Sequence, residues 1–296
     1  MRNDIPDDAE IARLVRAPRE ALREAGLPDD EYADSQFDPR DLIPNAQSPD
    51  EFGDEIAEQQ SPRQKSRSLV AFPLVAFENI TLDTEHRGYL VKGLLVTTGL
   101  TVIWGPPKCG KSFWAADLGM HIALGWDYRG HKVQQAPVVY VALEGRYGFP
   151  ARIEAFRRHH GIESAPPFYL LSASLDLVAK SGQLIASIKT QLRENLPGVL
   201  FLDTLNRSLV GSESKDEDMA RFLAAAEKVA QELSCAVVIV HHCGIDATRP
   251  RGHTSLSGAV ESQLKVERTA TGEVIVTVEL AKDFAEGTEI VSRLER

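Results

Sequence analysis

Gly105-Pro106-Pro107-Lys108-Cys109-Gly110-Lys111-Ser112 decides how the rest of the chain is read. The stretch matches GxxxxGK[ST] and lies between an apolar run at residues 100–104 and an amphipathic segment at residues 111–124. A strand that feeds a glycine-rich turn and then opens a helix is the context in which this pattern holds phosphates. A triphosphate needs dense compensation of its charge. Main-chain N–H groups of a tight loop and a helix N-terminus supply that compensation without burying many cations. Gly105 and Gly110 let the main chain come close, Lys111 is the expected point charge on the β and γ oxygens, and Ser112 is the expected hydroxyl ligand of Mg2+. The cradle expected to hold ATP is thus Gly105, Pro106, Pro107, Lys108, Cys109, Gly110, Lys111 and Ser112, with Phe113 following it. A structural glycine-rich turn is the alternative reading.

Outward from the cradle, short apolar runs alternate with helical stretches, the mark of βαβ units and of a parallel sheet buried on both faces. Strands are expected at residues 100–104, 138–143, 198–202, 236–240, 263–267, 274–280 and 290–294. Helices are expected at residues 111–124, 151–160, 181–196 and 216–233. Thr271 and Gly272 separate a pair of alternating runs with no helix between them, which predicts a β-hairpin. The fold class is α/β: a mostly parallel central sheet flanked by helices, with an antiparallel C-terminal hairpin edge.

Three strand ends carry chemistry. Gly198-Val-Leu-Phe-Leu-Asp203 delivers a carboxylate to the carboxyl rim of the sheet, where open α/β sheets bind ligands, so Asp203 is the expected Mg2+ carboxylate. Val138-Val-Tyr-Val-Ala-Leu-Glu144 brings a second acid to the same rim. Glu144 is placed to polarise the attacking water, with a cap or surface acid as the plain alternative. Ala236-Val-Val-Ile-Val240 ends in His241 and His242, and strand alternation lets only one of them face the nucleotide. His242 is favoured as a γ-phosphate sensor and His241 is the alternate.

With 296 residues, 43% of them hydrophobic, the chain accommodates one large domain and a tail. Residues 1–67 hold 17 acidic and 9 basic side chains, whereas the remainder holds 26 and 24. A core this near neutrality argues against an extended nucleic-acid surface and confines any DNA contact to loops or a pore. The tail, rich in Asp, Glu, Pro, Gln and Ser, is expected to be largely disordered, with the ATPase domain spanning residues 68–296. Ile11, Leu14, Val15 and Leu22 make a rough helical stripe, either a docking helix for a protein partner or an inert segment. No apolar run approaches the roughly 20 residues of a membrane span, and Arg2, Asn3 and Asp4 do not open a signal peptide, so the expected location is the cytoplasm. Cys109, Cys235 and Cys243 form no CxxC pair, and His241, His242, Cys243 and His253 would make an awkward tetrahedral site.

Over residues 85–285 the chain resembles the RecA-like hexameric ATPases, and most closely the RepA-type replicative helicases of plasmids and related phage ATPases. The marks are Trp104-Gly-Pro-Pro-Lys-Cys-Gly-Lys-Ser112-Phe113, Ala142-Leu-Glu144-Gly145, Leu202-Asp203-Thr204-Leu205 and the paired His241-His242. The resemblance implies a RecA-like P-loop NTPase in which Glu144 activates water and ATP lies between subunits of a homo-oligomer, expected to be a hexamer. It also implies an arginine finger, for which Arg251 is the best positional match, with Lys282 as a second cation. Arg251 lies in a loop at residues 244–258 that also holds Arg249 and His253, and the loop reads equally as a single-stranded DNA contact. The loop at residues 206–219, with Arg207 and Lys215, could serve the same purpose, although neither loop contains an aromatic stacking platform. The resulting expectation is an Mg2+-dependent ATP hydrolase that moves along or remodels DNA. A non-translocating regulatory ATPase acting as a protein-interaction switch stays open, as does a small-molecule kinase using residues 152–158 as a lid.

Overall fold

The computed structural model describes residues 76–77, 88–145, 147–244, 250 and 255–294. The chain divides into two units, Met1–Pro73 and Leu74–Arg296, and every described residue belongs to the second. The expected tail with its helix at residues 8–25, and Arg249, Arg251 and His253 in the loop after the paired histidines, lie outside the described residues.

The elements are β1 (Tyr89–Val91), β2 (Leu95–Val96), β3 (Gly99–Gly105), α1 (Lys111–Leu124), β4 (Val138–Ala142), α2 (Phe149–His159), β5 (Phe168–Leu171) and α3 (Leu177–Leu192). They continue with β6 (Val199–Asp203), α4 (Leu205–Ser208), α5 (Asp216–Leu233), β7 (Ala236–His242), α6 (Ser255–Ala259), β8 (Ser262–Arg268), β9 (Glu273–Ala281) and β10 (Glu289–Arg293). β1 and β2 form a small antiparallel pair of their own. The other eight strands form one sheet in the order β10-β9-β8-β3-β7-β6-β4-β5. From β8 to β5 the pairings are parallel, and β9 pairs antiparallel with both β8 and β10.

The inner strands are nearly unbroken runs of Val, Ile and Leu because both of their faces are covered. One core, on the α1 face, gathers Ile103, Ala115, Leu118, Tyr140, Phe201 and Val238. The other, on the α3 and α5 face, gathers Val102, Trp104, Ile185, Leu202, Phe222 and Ile239. Register then sets the rim: Gly105 lies beside His242, Ala142 beside Asp203, and Asp203 beside Val240. Four strands therefore deliver the cradle, Glu144, Asp203 and the histidine pair to one edge.

The hairpin at Thr271 and Gly272 forms as expected, and α1 and α5 begin and end where the periodicity puts them. α3 differs. It starts at Leu177 because Asp176 caps it, its side chain accepting from the Ala179 N–H at 3.2 Å, and it stops at Leu192 with Arg193 at φ 50°. The sequence pattern does not predict β5, a four-residue edge strand behind Pro166-Pro167, nor β1, β2 and the short helices α4 and α6. Among the described residues, no helix is long and apolar enough to cross a membrane.

Candidate functional site

The cradle leaves β3 at Gly105, whose backbone adopts φ 156° and whose missing Cβ would overlap the main-chain oxygen of Val266. Only glycine fits there. Gly110 stands at the start of α1 with φ 113°, and α1 has no side-chain cap and no acid in its first turn. Its first N–H groups and its dipole are thus left for an anion.

Lys111 is almost buried, at 5% exposure. Its ammonium donates to the carbonyls of Gly105 at 2.9 Å and Pro106 at 2.7 Å, and lies 3.9 Å from the Cys109 sulfur. Burial lowers its pKa, and the neighbouring Cys109 and Cys243 act in the other direction. Burial likewise raises the Cys109 thiol.

Asp203, at the end of β6, is 1% exposed. Its Oδ2 accepts from the Tyr140 hydroxyl at 2.7 Å, while its Oδ1 is buried without a hydrogen bond of good geometry. Burial is the main influence and raises its pKa, while the hydroxyls of Tyr140 and Ser112 favour the charged form. A half-satisfied buried carboxylate beside a serine hydroxyl suits a hard divalent cation. Among the described residues, no group of three or more His, Cys, Asp or Glu side chains could hold a metal. An ion at Ser112 and Asp203 would therefore need phosphate oxygens and water for the rest of its shell. Nothing in the sequence marks Tyr140 as a site residue; in the fold it orients the carboxylate from the neighbouring strand.

Glu144 follows β4, where the N–H groups of Leu143 and Glu144 both donate to the Asp203 carbonyl, at 2.6 and 3.2 Å. Its Oε1 accepts from the Thr204 hydroxyl at 3.1 Å and lies 3.5 Å from Arg207 Nε, and its Oε2 is 3.8 Å from His242 Nε2. The structure thus turns His242 toward Glu144. His241, one residue back on the pleat, is fully buried.

Two further groups flank the cradle. Phe113 is 43% exposed, and the Arg152 guanidinium lies over its ring at 4.3 Å. Both line a cavity of about 570 Å3 that also touches Gly110, Val274 and Leu294. The sequence alone presents Arg152 only as part of an amphipathic helix. Arg157 and Arg158 instead pair with Glu154 on the helix surface, at 2.8 and 2.6 Å. Lys282 stands apart: β9 runs antiparallel, so its last residue, Ala281, pairs with Ser262 at the start of β8. Lys282 pairs there with Glu261 at 3.0 Å, level with the start of β3 and about 17 Å along the strand from its own Gly105.

A parallel sheet with this cradle and these rim residues defines a P-loop ATPase of RecA-like fold. A family profile described as an AAA domain matches residues 65–247, and the chain belongs to that family. Among solved structures, the ATPase domain of a helicase superposes with a TM-score of 0.50 at 15% identity, over 66% of this chain and 81% of that one. The RadB recombinase gives a TM-score of 0.48 at 20% identity, over 67% of this chain and 87% of the other. A comparison with curated proteins returns no match.

Proposed function

We propose that the chain is an Mg2+-dependent ATP hydrolase of the RepA-like kind, a ring-forming helicase or translocase acting on DNA in plasmid or phage replication. The observation that carries the hydrolase reading is the buried, half-satisfied Asp203 carboxylate beside Ser112, at the mouth of a loop that only glycine can close. Ser112 and Asp203 would hold Mg2+, whose chemistry there is to neutralise charge on the transferring phosphoryl group. Lys111 exchanges its two carbonyl partners for phosphate oxygens, so its ammonium is never left unpaired. Glu144 takes the proton of the attacking water, and His242 stands beside it to register the γ-phosphate. Phe113 and Arg152 offer a ring and a planar cation next to the cradle, a platform for the nucleobase.

The ring rests on the sequence resemblance and on Lys282, which is too far from its own cradle to serve any phosphate except one held by another subunit. Arg251 remains the proposed finger. Glu144→Gln tests the hydrolytic assignment: phosphate release should fall by a factor on the order of 10^2 to 10^4 while a fluorescent ATP analogue still binds. Retained turnover would remove Glu144 from the base's role. A fork-unwinding assay tests the motor: no unwinding and no DNA-stimulated turnover would favour the nucleotide-driven interaction switch.

A further inference from the structure

A general base must offer water a lone pair, yet both oxygens of Glu144 already face partners: Thr204 and Arg207 on one side, His242 on the other. Arg207 rides on α4, a single turn anchored by the buried Leu205 and by Ser208, whose hydroxyl donates to the carbonyls of Thr204 and Leu205. Its backbone is therefore fixed while its side chain, 65% exposed, is free to swing. An ion pair this exposed is weak and screened by salt, so a stronger anion can take the guanidinium.

The space into which Arg207 would swing is a cavity of about 700 Å3 that also touches Tyr147 and Ser174. Tyr147 is 88% exposed and sits on a turn closed by the Gly148 N–H donating to the Gly145 carbonyl at 2.9 Å. The loop at residues 206–219 has no aromatic of its own on which a base could stack. Strand order supplies one: β4 and β6 are neighbours, with Ala142 beside Asp203, so the turn after β4 brings Tyr147 to the turn after β6. An exposed ring, a guanidinium and a hydroxyl along one groove suit a strand of stacked bases and spaced phosphates.

We propose that this groove binds single-stranded nucleic acid and that a bound phosphate draws Arg207 off Glu144, making Arg207 a latch between strand binding and hydrolysis. The proposal rests on the reading of Glu144 as the base of an ATP hydrolase. Arg207 acts through Glu144 and is a positioning residue.

The test uses the full chain, phosphate release with and without oligothymidylate, and anisotropy of a fluorescein-labelled oligothymidylate. Oligothymidylate should raise the wild-type kcat. Arg207→Ala should raise kcat in its absence, leave KM for ATP unchanged and abolish the response to the strand, and Arg207→Lys should restore that response. Tyr147→Ala should weaken oligothymidylate binding about tenfold, and Tyr147→Phe should keep it. A fall in kcat for Arg207→Ala, unaltered binding by Tyr147→Ala, or stimulation by a protein and never by oligothymidylate overturns the latch. A wild-type chain that hydrolyses no ATP overturns the functional reading beneath it, whereas steady hydrolysis with no bound oligothymidylate overturns the latch alone.

Discussion

Asp203→Asn should make the nucleotide-free protein more stable while removing its response to Mg2+. In the wild type the carboxylate is 1% exposed, receives one hydroxyl at 2.7 Å and keeps Oδ1 without a good donor. Leaving a buried polar group unsatisfied costs about 1–3 kcal/mol, and more when it is charged. Asparagine has the same shape and no charge, and its oxygen can still accept from Tyr140, so a gain of about 1–2 kcal/mol is expected. For a domain of this size that moves Tm by about 2–8 °C. The pH dependence follows from burial holding the carboxyl above its ordinary pKa. Between the ordinary and the raised value the folded state binds more protons than the unfolded one, so wild-type stability falls as pH rises through that window. The advantage of Asp203→Asn is therefore absent at pH below the ordinary value and complete above the raised one. Differential scanning fluorimetry across pH, with and without Mg2+ and ADP, reads both effects. The wild type should gain about 2.7 kcal/mol at a ligand concentration roughly one hundred times Kd, and the variant far less. A lower Tm for Asp203→Asn at neutral pH, or an undiminished response to Mg2+ and ADP, would refute the reasoning.

Gly105→Ala should abolish nucleotide binding and lower Tm, because the new methyl collides with the Val266 carbonyl of a central strand; a variant that binds ATP normally would contradict the close approach. Arg152→Ala should weaken a fluorescent ATP analogue by about 2- to 30-fold through loss of the cation over the Phe113 ring, with little change in kcat at saturation. Titration of the analogue checks this, and equal affinity would remove Arg152 from the base platform.

The elements legible in the sequence are those whose physics is local. α1 and α5 carry their own periodicity, and the inner strands carry their own apolar runs, so their bounds hold within one or two residues. The cradle, Asp203, Glu144 and His242 come to one rim because each ends a parallel strand, and that too is local information. Tyr140 and Arg207 are not legible as site residues. Tyr140 lies within its strand like any core aromatic, and its hydroxyl meets Asp203 only because β4 pairs with β6. Arg207 reads as a loop cation until the same pairing sets it beside Glu144. Lys282 shows the converse: its place in the hairpin is legible, but the antiparallel run of β9 decides that it lies far from its own cradle.

In the proposed function, Lys111 and the loop around it seat a nucleotide triphosphate. Isothermal titration of a non-hydrolysable ATP analogue with Mg2+ measures this most directly, on the wild type and on a Lys111→Ala chain shown by circular dichroism to be folded. Saturable binding by the wild type, lost in Lys111→Ala, is the expected result. Equal binding by the two, or none by the wild type, would contradict it.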